Sequence, residues 1–448
     1  MEKLEEQIKI PTRLTYRAVG SGTGQKEFLG KVEEPLEVSR QFCLIFFVAS
    51  RLRSPPPRRL PQADKAYNDF GAGDIPIPSA DRDAYFAKGI EFVQLPFVLS
   101  AVTFFHNIPG VPAYGDSQLQ MTACLLARIF KRDITTWDHL DILAINPNLN
   151  VAPDYPIFVG RRVKGSSSTY SITHYLRAQC PEEWDEEDTA STVDWHPDTK
   201  ACDGSGPMTA CLKNNEGSIG YIDAAHGHEN GLTEIHVRNG DGRYLTTVES
   251  GVVGVQEAAT DLSAAPPTAD GDFSDVAFYN MPGTNTWPIS LVSYVYIRKD
   301  LSHMTDVRAR SLVKAFATAL FDPEYIGLCD RYGLLPVPED LKQLSLAGLD
   351  LVDAGEGAPE WKFEKDTMVG EGAGDYVISK KRKSFGLYEA DRLADDVGPL
   401  AQEVRELKLQ LAELRSVQGL TVSAAGGKAV RTALGATAVV AAAMGFLL

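Results

Sequence analysis

Two short segments of this 448-residue chain carry the residue types that hold a tetrahedral oxyanion. The first, Ala18–Gly24, is a glycine-rich turn with one serine, and the second, Arg162–Ser168, joins an arginine and a lysine to three consecutive serines. A guanidinium group, hydroxyl groups and the backbone N–H groups at a helix start all donate hydrogen bonds to an anion. The two segments therefore indicate two halves of one anion-binding site.

Both segments lie where a turn leads into a helical pattern, which is where free backbone N–H groups collect. Ser21 stands between glycines that let the backbone approach a ligand, although this turn alone is better explained by a serine that caps a helix. The serines at 166–168 precede a helical pattern at 170–176. Their donors are expected to converge near Arg162, and a plain serine-rich cap does not account for the adjacent arginines.

A third group with useful chemistry is the carboxylate of Asp74, which ends the glycine-rich stretch 69–74. A carboxylate accepts hydrogen bonds, so it can hold a protonated oxyanion and disfavour an anion that has no proton to give. On its own, an aspartate in such a stretch is more often a turn residue. Asp74 is therefore a candidate only in combination with the two anion-binding segments.

Composition limits the class of protein. The formal charge of −16 argues against general nucleic-acid binding, because phosphate backbones are bound by clustered lysine and arginine. Apolar strand patterns alternate with helical patterns from about residue 67 to 346, which predicts an α/β protein. The clearest predicted helices are Gln118–Phe130 and Ala309–Leu320. The clearest predicted strands are 92–95, 101–105, 157–159 and 292–297.

The six cysteines lack the close spacings of a zinc site, so no metal ligand set is predicted. Cys202 and Cys211 flank a Gly-Ser-Gly-Pro turn that can bring their side chains together. A disulfide in an oxidising compartment and two separate, partly buried thiols are equally compatible with this spacing. His226 and His228 have no third ligand in register and are more typical of ordinary surface.

Short motifs follow one another along the chain in a fixed order. They are 16–24, 69–74, 93–97, 107–110, 129–137, 146–147, 162–168, 217–221 and 287–290. In this order they resemble the PstS family, the phosphate-binding proteins of ABC-type phosphate uptake systems. The match extends over roughly residues 14 to 340, and an ordered series is far more specific than any single motif.

The resemblance implies the two-lobed type II periplasmic-binding-protein fold, in which two mixed-sheet lobes with flanking helices are joined by a hinge of two segments. The first lobe would comprise 1–98 and 289–346, and the second would comprise 99–288. Residues 33–64 are predicted to be a disordered insert, because a short apolar burst is followed there by a basic, proline-rich tract. The two crossings between the lobes are expected near 96–100 and 287–290.

The resemblance also implies a phosphate site, residue by residue. Ser21 falls on the family's phosphate-binding serine, Asp74 on its proton-accepting aspartate and Arg162 on its arginine. The other hydroxyl and amide donors of the family fall on Ser166, Ser167 and Ser168. The predicted function is therefore a receptor, without catalysis or cofactor, that binds phosphate or a similar oxyanion for uptake, capture or sensing.

Lys164 is the most consequential departure from the family pattern, because many members have an aspartate at this position. An ammonium group that points inward would favour more highly charged anions and weaken the rejection of sulfate. One that points to solvent would leave the discrimination to Asp74. Sequence alone does not decide between the two, so Lys164 is an uncertain member of the site.

The C-terminal part differs in composition from the α/β region. Residues 347–420 are predicted to be a linker with a short heptad helix, either a stalk or a coiled coil, whose seam runs from Val397 to Leu414. Residues 421–448 end in an uncharged apolar run after small residues, which is typical of a GPI-attachment signal and, less closely, of one membrane helix. Both favour a cell-surface protein anchored by its tail in a eukaryotic-type cell.

The N-terminal segment does not match this destination. Met1–Ile10 is charged and amphipathic, unlike a secretory signal, and the first binding loop of the PstS family has no counterpart. We therefore expect the natural chain to begin upstream of Met1 and to carry its signal there. Besides phosphate, a membrane transporter or a surface complex is the expected partner.

Two other functions remain open at this stage. One is a phosphate-ester hydrolase in which a serine at 166–168 is the nucleophile and His174, the nearest base in sequence, activates it. The other is a scaffold or adhesion protein that uses the heptad helix and keeps only a vestigial ligand site. The first needs a serine–histidine contact, and the second needs association through residues 390–420.

Overall fold

The computed structural model describes residues 1–10, 12–16, 20–30, 68–163, 165–329, 333–364, 374–379 and 382. Met1–Ile378 form one compact unit, and a second unit begins at Ser379. The predicted insert, the heptad seam, the apolar tail and Lys164 lie outside the described residues.

The described residues contain helices and strands in alternation. The helices are α1 (Glu2–Gln7), α2 (Ser21–Phe28), α3 (Ser79–Phe86), α4 (Ala123–Lys131), α5 (Leu140–Ile145), α6 (Ser167–Gln179), α7 (Ser205–Lys213), α8 (Ala224–Glu229), α9 (Thr247–Glu257), α10 (Val307–Ala319), α11 (Pro323–Cys329) and α12 (Glu339–Asp350). The strands are β1 (Gly71–Gly73), β2 (Phe92–Asn107), β3 (Gln120–Met121), β4 (Phe158–Arg162), β5 (Lys200–Cys202), β6 (Ser218–Asp223), β7 (Thr233–Glu234), β8 (His236–Arg238), β9 (Tyr244–Leu245), β10 (Phe278–Tyr279), β11 (Ile289–Arg298), β12 (Leu335–Pro336), β13 (Lys362–Phe363) and β14 (Val377–Ile378).

The main sheet is mixed, and its strands follow the order β1-β11-β2-β6-β4-β5. The long strand β2 is antiparallel to both β11 and β6, whereas β4 is parallel to β5 and β6. Residues 92–101 of β2 pair with β11, and residues 102–107 pair with β6. The central strand therefore changes its partner between Ala101 and Val102. The α/β architecture with a mixed sheet that the sequence predicted is confirmed.

A bulge explains why the sequence indicated two separate strands where the structure has the single strand β2. Pro96 has no N–H group to donate, and the register of β11 shifts opposite it, between Ser293 and Tyr294. Phe97 is the extra residue of this bulge, and it lines the cleft that holds the predicted site. The bulge thus interrupts the apolar pattern without ending the strand.

The two predicted helices have different outcomes. Helix α10 matches the prediction for Ala309–Leu320 within two residues. The prediction for Gln118–Phe130 was wrong in its first turn, because α4 begins only at Ala123. Thr122 caps this helix by accepting a hydrogen bond from the Leu125 N–H at 3.2 Å, while β3 just before it pairs with β8. A pairing between distant strands leaves no trace in local periodicity.

An aromatic cluster joins α4 to the centre of the sheet. The ring of Phe130 in α4 lies 5.8 Å from that of Phe104 in β2 and 5.6 Å from that of Tyr221 in β6, centroid to centroid. All three side chains are almost completely buried. Because rings of this size contribute much of a core's stabilisation, they fix the position of Tyr221, whose hydroxyl reaches the predicted site.

Among the helices of the described residues, none combines the length and apolar character that crossing a bilayer requires.

Because His106 in β2 is buried, we expect the protein to lose stability in mild acid. Its Nε2 is buried and has no hydrogen-bond partner among the described residues. Burial, and secondly the nearby His236, lower the pKa of His106 from 6.5 to about 3. Between these pH values the unfolded chain binds a proton that the folded chain does not, so stability falls as pH falls below 6.5. The loss from this group should approach ~1.4 kcal/mol per pH unit.

Denaturant unfolding at about pH 7, 5.5 and 4.5 measures this loss. The control is His106→Asn, whose amide oxygen can replace Nδ1 as acceptor for the Ile108 N–H, now bonded at 3.2 Å. The variant should show a pH dependence that is smaller by about one proton. An identical slope in both proteins would contradict the assignment.

Candidate functional site

A cleft of about 970 Å³ contains the predicted anion-binding residues. Segments that lie far apart in sequence border it, including the start of α2, the end of β1, the end of β4 and the start of α6. The predicted residues that line it are Ser21, Asp74, Arg162, Ser166, Ser167 and Ser168. The structure thus brings together every described residue that the sequence assigned to the site.

Ser21 is held by Asp74 at one side of the cleft. Its hydroxyl donates to Asp74 Oδ2 at 3.2 Å and accepts from the Asp74 backbone N–H at 3.1 Å. Gly20, with φ of 83°, makes the turn from which α2 starts at Ser21. A Cβ at Gly73 would lie 3.1 Å from the Ser21 Cβ, so glycine lets β1 pass beside this helix start. The glycine-rich pattern therefore serves the serine–aspartate contact.

The carboxylate of Asp74 has a second donor that the sequence did not reveal. Ser293 in β11 donates from its hydroxyl to Asp74 Oδ1 at 2.6 Å, so each carboxylate oxygen accepts one serine hydroxyl. These contacts orient the half-buried carboxylate toward the cleft. Ser293 lies within an apolar strand, where a small polar residue gives no local sign of its partner.

Arg162 is the one arginine or lysine among the described residues that line the cleft. Its backbone N–H donates to Tyr221 Oη at 3.2 Å, and that hydroxyl also lies 2.8 Å from Thr169 Oγ1. Among the described residues, its guanidinium group has no hydrogen-bond or ion-pair partner. Burial lowers the pKa of Arg162, while the charge of Asp203 opposes this shift. With an ordinary value of 12.5, the group stays positively charged and available to an anion.

The start of α6 supplies neutral donors. Ser166 caps the helix, because its hydroxyl accepts from the Thr169 N–H at 3.4 Å and its own N–H donates to the Ser191 carbonyl at 2.9 Å. The backbone N–H and hydroxyl groups of Ser167 and Ser168 have no hydrogen-bond partner within the described part of the chain. They line the cleft at the positive end of the helix dipole. Ser166 therefore provides the helix cap, whereas Ser167 and Ser168 are the serines that can donate hydrogen bonds to an anion.

The two anion-binding segments touch each other. A Cβ at Gly20 would lie 3.0 Å from the Gly165 carbonyl oxygen, and one at Gly22 would lie 3.4 Å from the Gly165 Cα. The starts of α2 and α6 are therefore close, and both border the same cleft. Two helix starts with one guanidinium group and one carboxylate form a set that can hold a partly protonated oxyanion.

A disulfide fixes a third helix start beside this set. Cys202 is bonded to Cys211, which settles the alternative that the sequence left open, and the enclosed residues Asp203 and Ser205 line the cleft. A second disulfide, Cys124–Cys180, ties α4 to the end of α6 and was not predicted. Both bonds fit an oxidising compartment.

His174 does not meet the serines of the cleft. Its Nδ1 lies 2.8 Å from the Tyr170 carbonyl oxygen, and its ring packs against those of Tyr170 and Tyr279. The serine–histidine contact that the hydrolase alternative requires is thus not formed by His174. His228 contacts Glu234 at 2.8 Å. Across the described ranges, no group of three or more His, Cys, Asp or Glu side chains is arranged to hold a metal ion.

Comparisons with known proteins identify the family of this chain. The model of the family described as "PBP superfamily domain" matches residues 1–324. The chain belongs to the PBP superfamily. Within this superfamily it is similar to the phosphate-binding protein PstS of Methanocaldococcus jannaschii, with 25% identity over 301 residues that cover 64% of this chain and 75% of the relative. It is 27% identical to PstS of Xylella fastidiosa strain 9a5c over 243 residues, which cover 53% of this chain and 61% of that relative.

A solved PBP structure supports the fold. The phosphate-bound periplasmic phosphate-binding protein PfluDING aligns with a TM-score of 0.54 and 16% identity, over 79% of this chain and 96% of that chain. Together with the family match, this likeness confirms the predicted PstS resemblance and the two-lobed type II fold.

Sequence reasoning did not assign Ser293, Tyr221 or Asp223 to the site. Ser293 lines the cleft and acts through Asp74, whereas Tyr221 is not part of the lining and contacts the backbone of Arg162. Both contacts depend on pairing between distant strands. Asp223, the last residue of β6, lines the cleft as a further carboxylate. The motif Gly217–Tyr221 stops two residues short of it, and this proximity was the available signal.

Proposed function

We propose that the cleft binds inorganic phosphate and that the chain is a receptor rather than an enzyme. The observation that carries the proposal is the guanidinium group of Arg162, which has no partner among the described residues and shares a cleft with the free donors of Ser167 and Ser168. A half-buried cation and unpaired donors at the start of a helix together favour the binding of an anion. The printed names of the relatives and of the solved structure, all phosphate-binding proteins, support phosphate as that anion.

Asp74 accounts for selectivity in this proposal. Its two oxygens already accept the hydroxyls of Ser21 and Ser293, so the carboxylate is fixed as an acceptor in the cleft. A phosphate that keeps a proton can donate it to this carboxylate, whereas a fully deprotonated anion meets repulsion between like charges. The same geometry that admits phosphate therefore disfavours sulfate.

The lobes and their hinge complete the proposal. We place the first lobe at 1–98 and 289–346 and the second at 99–288, so that the partner change of β2 after Ala101 lies close to the boundary. Ser21 and Asp74 then belong to one lobe, and Arg162 with the α6 serines belongs to the other. Closure would remove water from the anion as donors from both lobes surround it.

The disulfides support a location outside the cytoplasm, in a periplasm or at a cell surface. A membrane transporter or a surface complex that takes up the captured phosphate is the proposed partner. Anchoring through residues 421–448, the uncertain role of Lys164 and the heptad association stay predictions.

Calorimetric titration with phosphate tests the proposal directly. We expect one site with micromolar or tighter affinity, because several charge-assisted hydrogen bonds form in a partly dry cleft. Phosphate at about one hundred times the dissociation constant should stabilise the fold by ~2.7 kcal/mol, which appears as a rise in Tm. Nitrate at the same ionic strength is the control and should leave Tm unchanged. If phosphate gave no heat of binding and no stabilisation, the proposed function would be contradicted.

A further inference from the structure

Asp223 has two roles in the structure. It ends β6 opposite Val102, the first residue of β2 after the partner change, and it is one of the residues that line the cleft. Its Oδ1 also accepts from the His226 N–H at 3.1 Å, so the residue caps α8. A helix cap can be provided equally well by asparagine or serine. The cap alone therefore does not explain a carboxylate at this point in an anion-binding cleft.

The groups around Asp223 carry both signs of charge. Asp74 approaches from the end of β1, His226 and His228 belong to α8, and Arg162 and Asp203 line the same cleft. Burial raises the pKa of Asp223 to about 6, and the charge of Asp74 contributes to the same shift. A carboxylate of this kind changes its charge within the pH range in which phosphate gains and loses its own proton.

We propose that Asp223, together with Asp74, makes the cleft select an oxyanion that keeps a proton over a dianion that has none. The inference rests on the proposed phosphate binding, because it needs an oxyanion in the cleft. Two carboxylates accept two hydrogen bonds from the hydrogens of dihydrogen phosphate. A dianion without protons faces two negative charges against the single described cation of the cleft, Arg162.

Sulfate is the informative probe, because it has no proton to exchange near neutral pH and so reports only on the protein. At neutral pH, charged Asp223 repels sulfate. Below about pH 6, neutral Asp223 no longer repels it and can donate a hydrogen bond to it. We expect the sulfate association constant of the wild-type protein to rise at least about tenfold between pH 7.5 and pH 5.

Asp223→Asn tests the residue itself. The variant keeps the cap of α8 but carries no charge, so it should bind sulfate with the same affinity, within about twofold, at both pH values. Its preference for phosphate over sulfate at neutral pH should fall at least about tenfold. Asp223→Ser, which also retains a cap oxygen, should behave in the same way and guards against a folding defect of the first variant.

Two controls separate the possible failures. Asp306→Asn removes a matched capping carboxylate at the start of α10, outside the cleft. It should leave the affinities for phosphate and sulfate unchanged. His226→Gln should retain the rise in sulfate binding at low pH. If phosphate binds but Asp223→Asn keeps the wild-type preference and pH profile, the inference is overturned while the proposed function stands. If wild-type protein binds phosphate at no pH between about 5 and 8, both fall.

Discussion

Replacing Arg162 with alanine should weaken phosphate binding by at least about thirtyfold. The guanidinium group is half-buried in the cleft, and its N–H groups have no partner among the described residues, so they are available to the anion. Truncating one partner of a buried, hydrogen-bonded charge pair costs ~2–5 kcal/mol, and each ~1.4 kcal/mol is a factor of ten in affinity. Calorimetric titration with phosphate at constant pH measures the loss.

Arg161→Ala is a matched control for this result. Successive residues of a strand point to opposite faces, and the Arg161 Nε donates instead to Thr199 Oγ1 at 3.3 Å, outside the cleft lining. This variant changes the net charge by the same amount but should bind phosphate with an affinity within about threefold of wild type. If both variants lost affinity equally, long-range charge rather than a contact would explain the effect, and the assignment of Arg162 would fail.

Replacing Trp287 with alanine should cause a large loss in the free energy of unfolding. The side chain is completely buried, and its Nε1 donates to the Val102 carbonyl at 3.0 Å. It therefore joins the chain just before β11 to the point where β2 changes partner. Truncation of a buried tryptophan costs ~3–5 kcal/mol, which is a large part of the ~5–15 kcal/mol that stabilises a typical domain. Denaturant unfolding measures the loss as a lower midpoint.

Two further variants divide this effect into parts. Trp287→Phe keeps much of the buried apolar surface but leaves the Val102 carbonyl without its donor, so it should cost only ~1–3 kcal/mol. Trp361→Ala removes a half-buried tryptophan whose Nε1 bonds to Ser311 Oγ at 3.0 Å, and it should cost less than Trp287→Ala. Equal losses for Trp287→Ala and Trp361→Ala would show that Trp287 has no special place in the fold.

Local sequence predicted those parts of the site that depend on neighbours along the chain. The serine run before α6 marks a helix start because hydroxyl caps and free N–H groups act over three or four residues. Gly20 likewise marks the turn into α2. The roles of individual serines within the run could not be assigned, because the Ser191 carbonyl that engages the Ser166 N–H lies 25 positions away.

The disulfides show the same limit. The Cys202–Cys211 pair spans nine positions, so the sequence could raise it as one of two alternatives. Cys124 and Cys180 are separated by 56 positions and meet only because α4 packs against α6. Helix packing depends on the whole core, so no local pattern pointed to this bond.

The sequence by itself determined the α/β class, the PstS resemblance and the chemical types in the two anion-binding segments, because motif order and donor chemistry are local properties. Only the tertiary structure decided that Ser293 orients Asp74, that Tyr221 supports Arg162 and that Asp223 joins the cleft. These residues come from β11 and β6, whose pairing with opposite ends of β2 is set by long-range register. Register follows from the burial of whole strands, and that is a property of the folded sheet rather than of any segment.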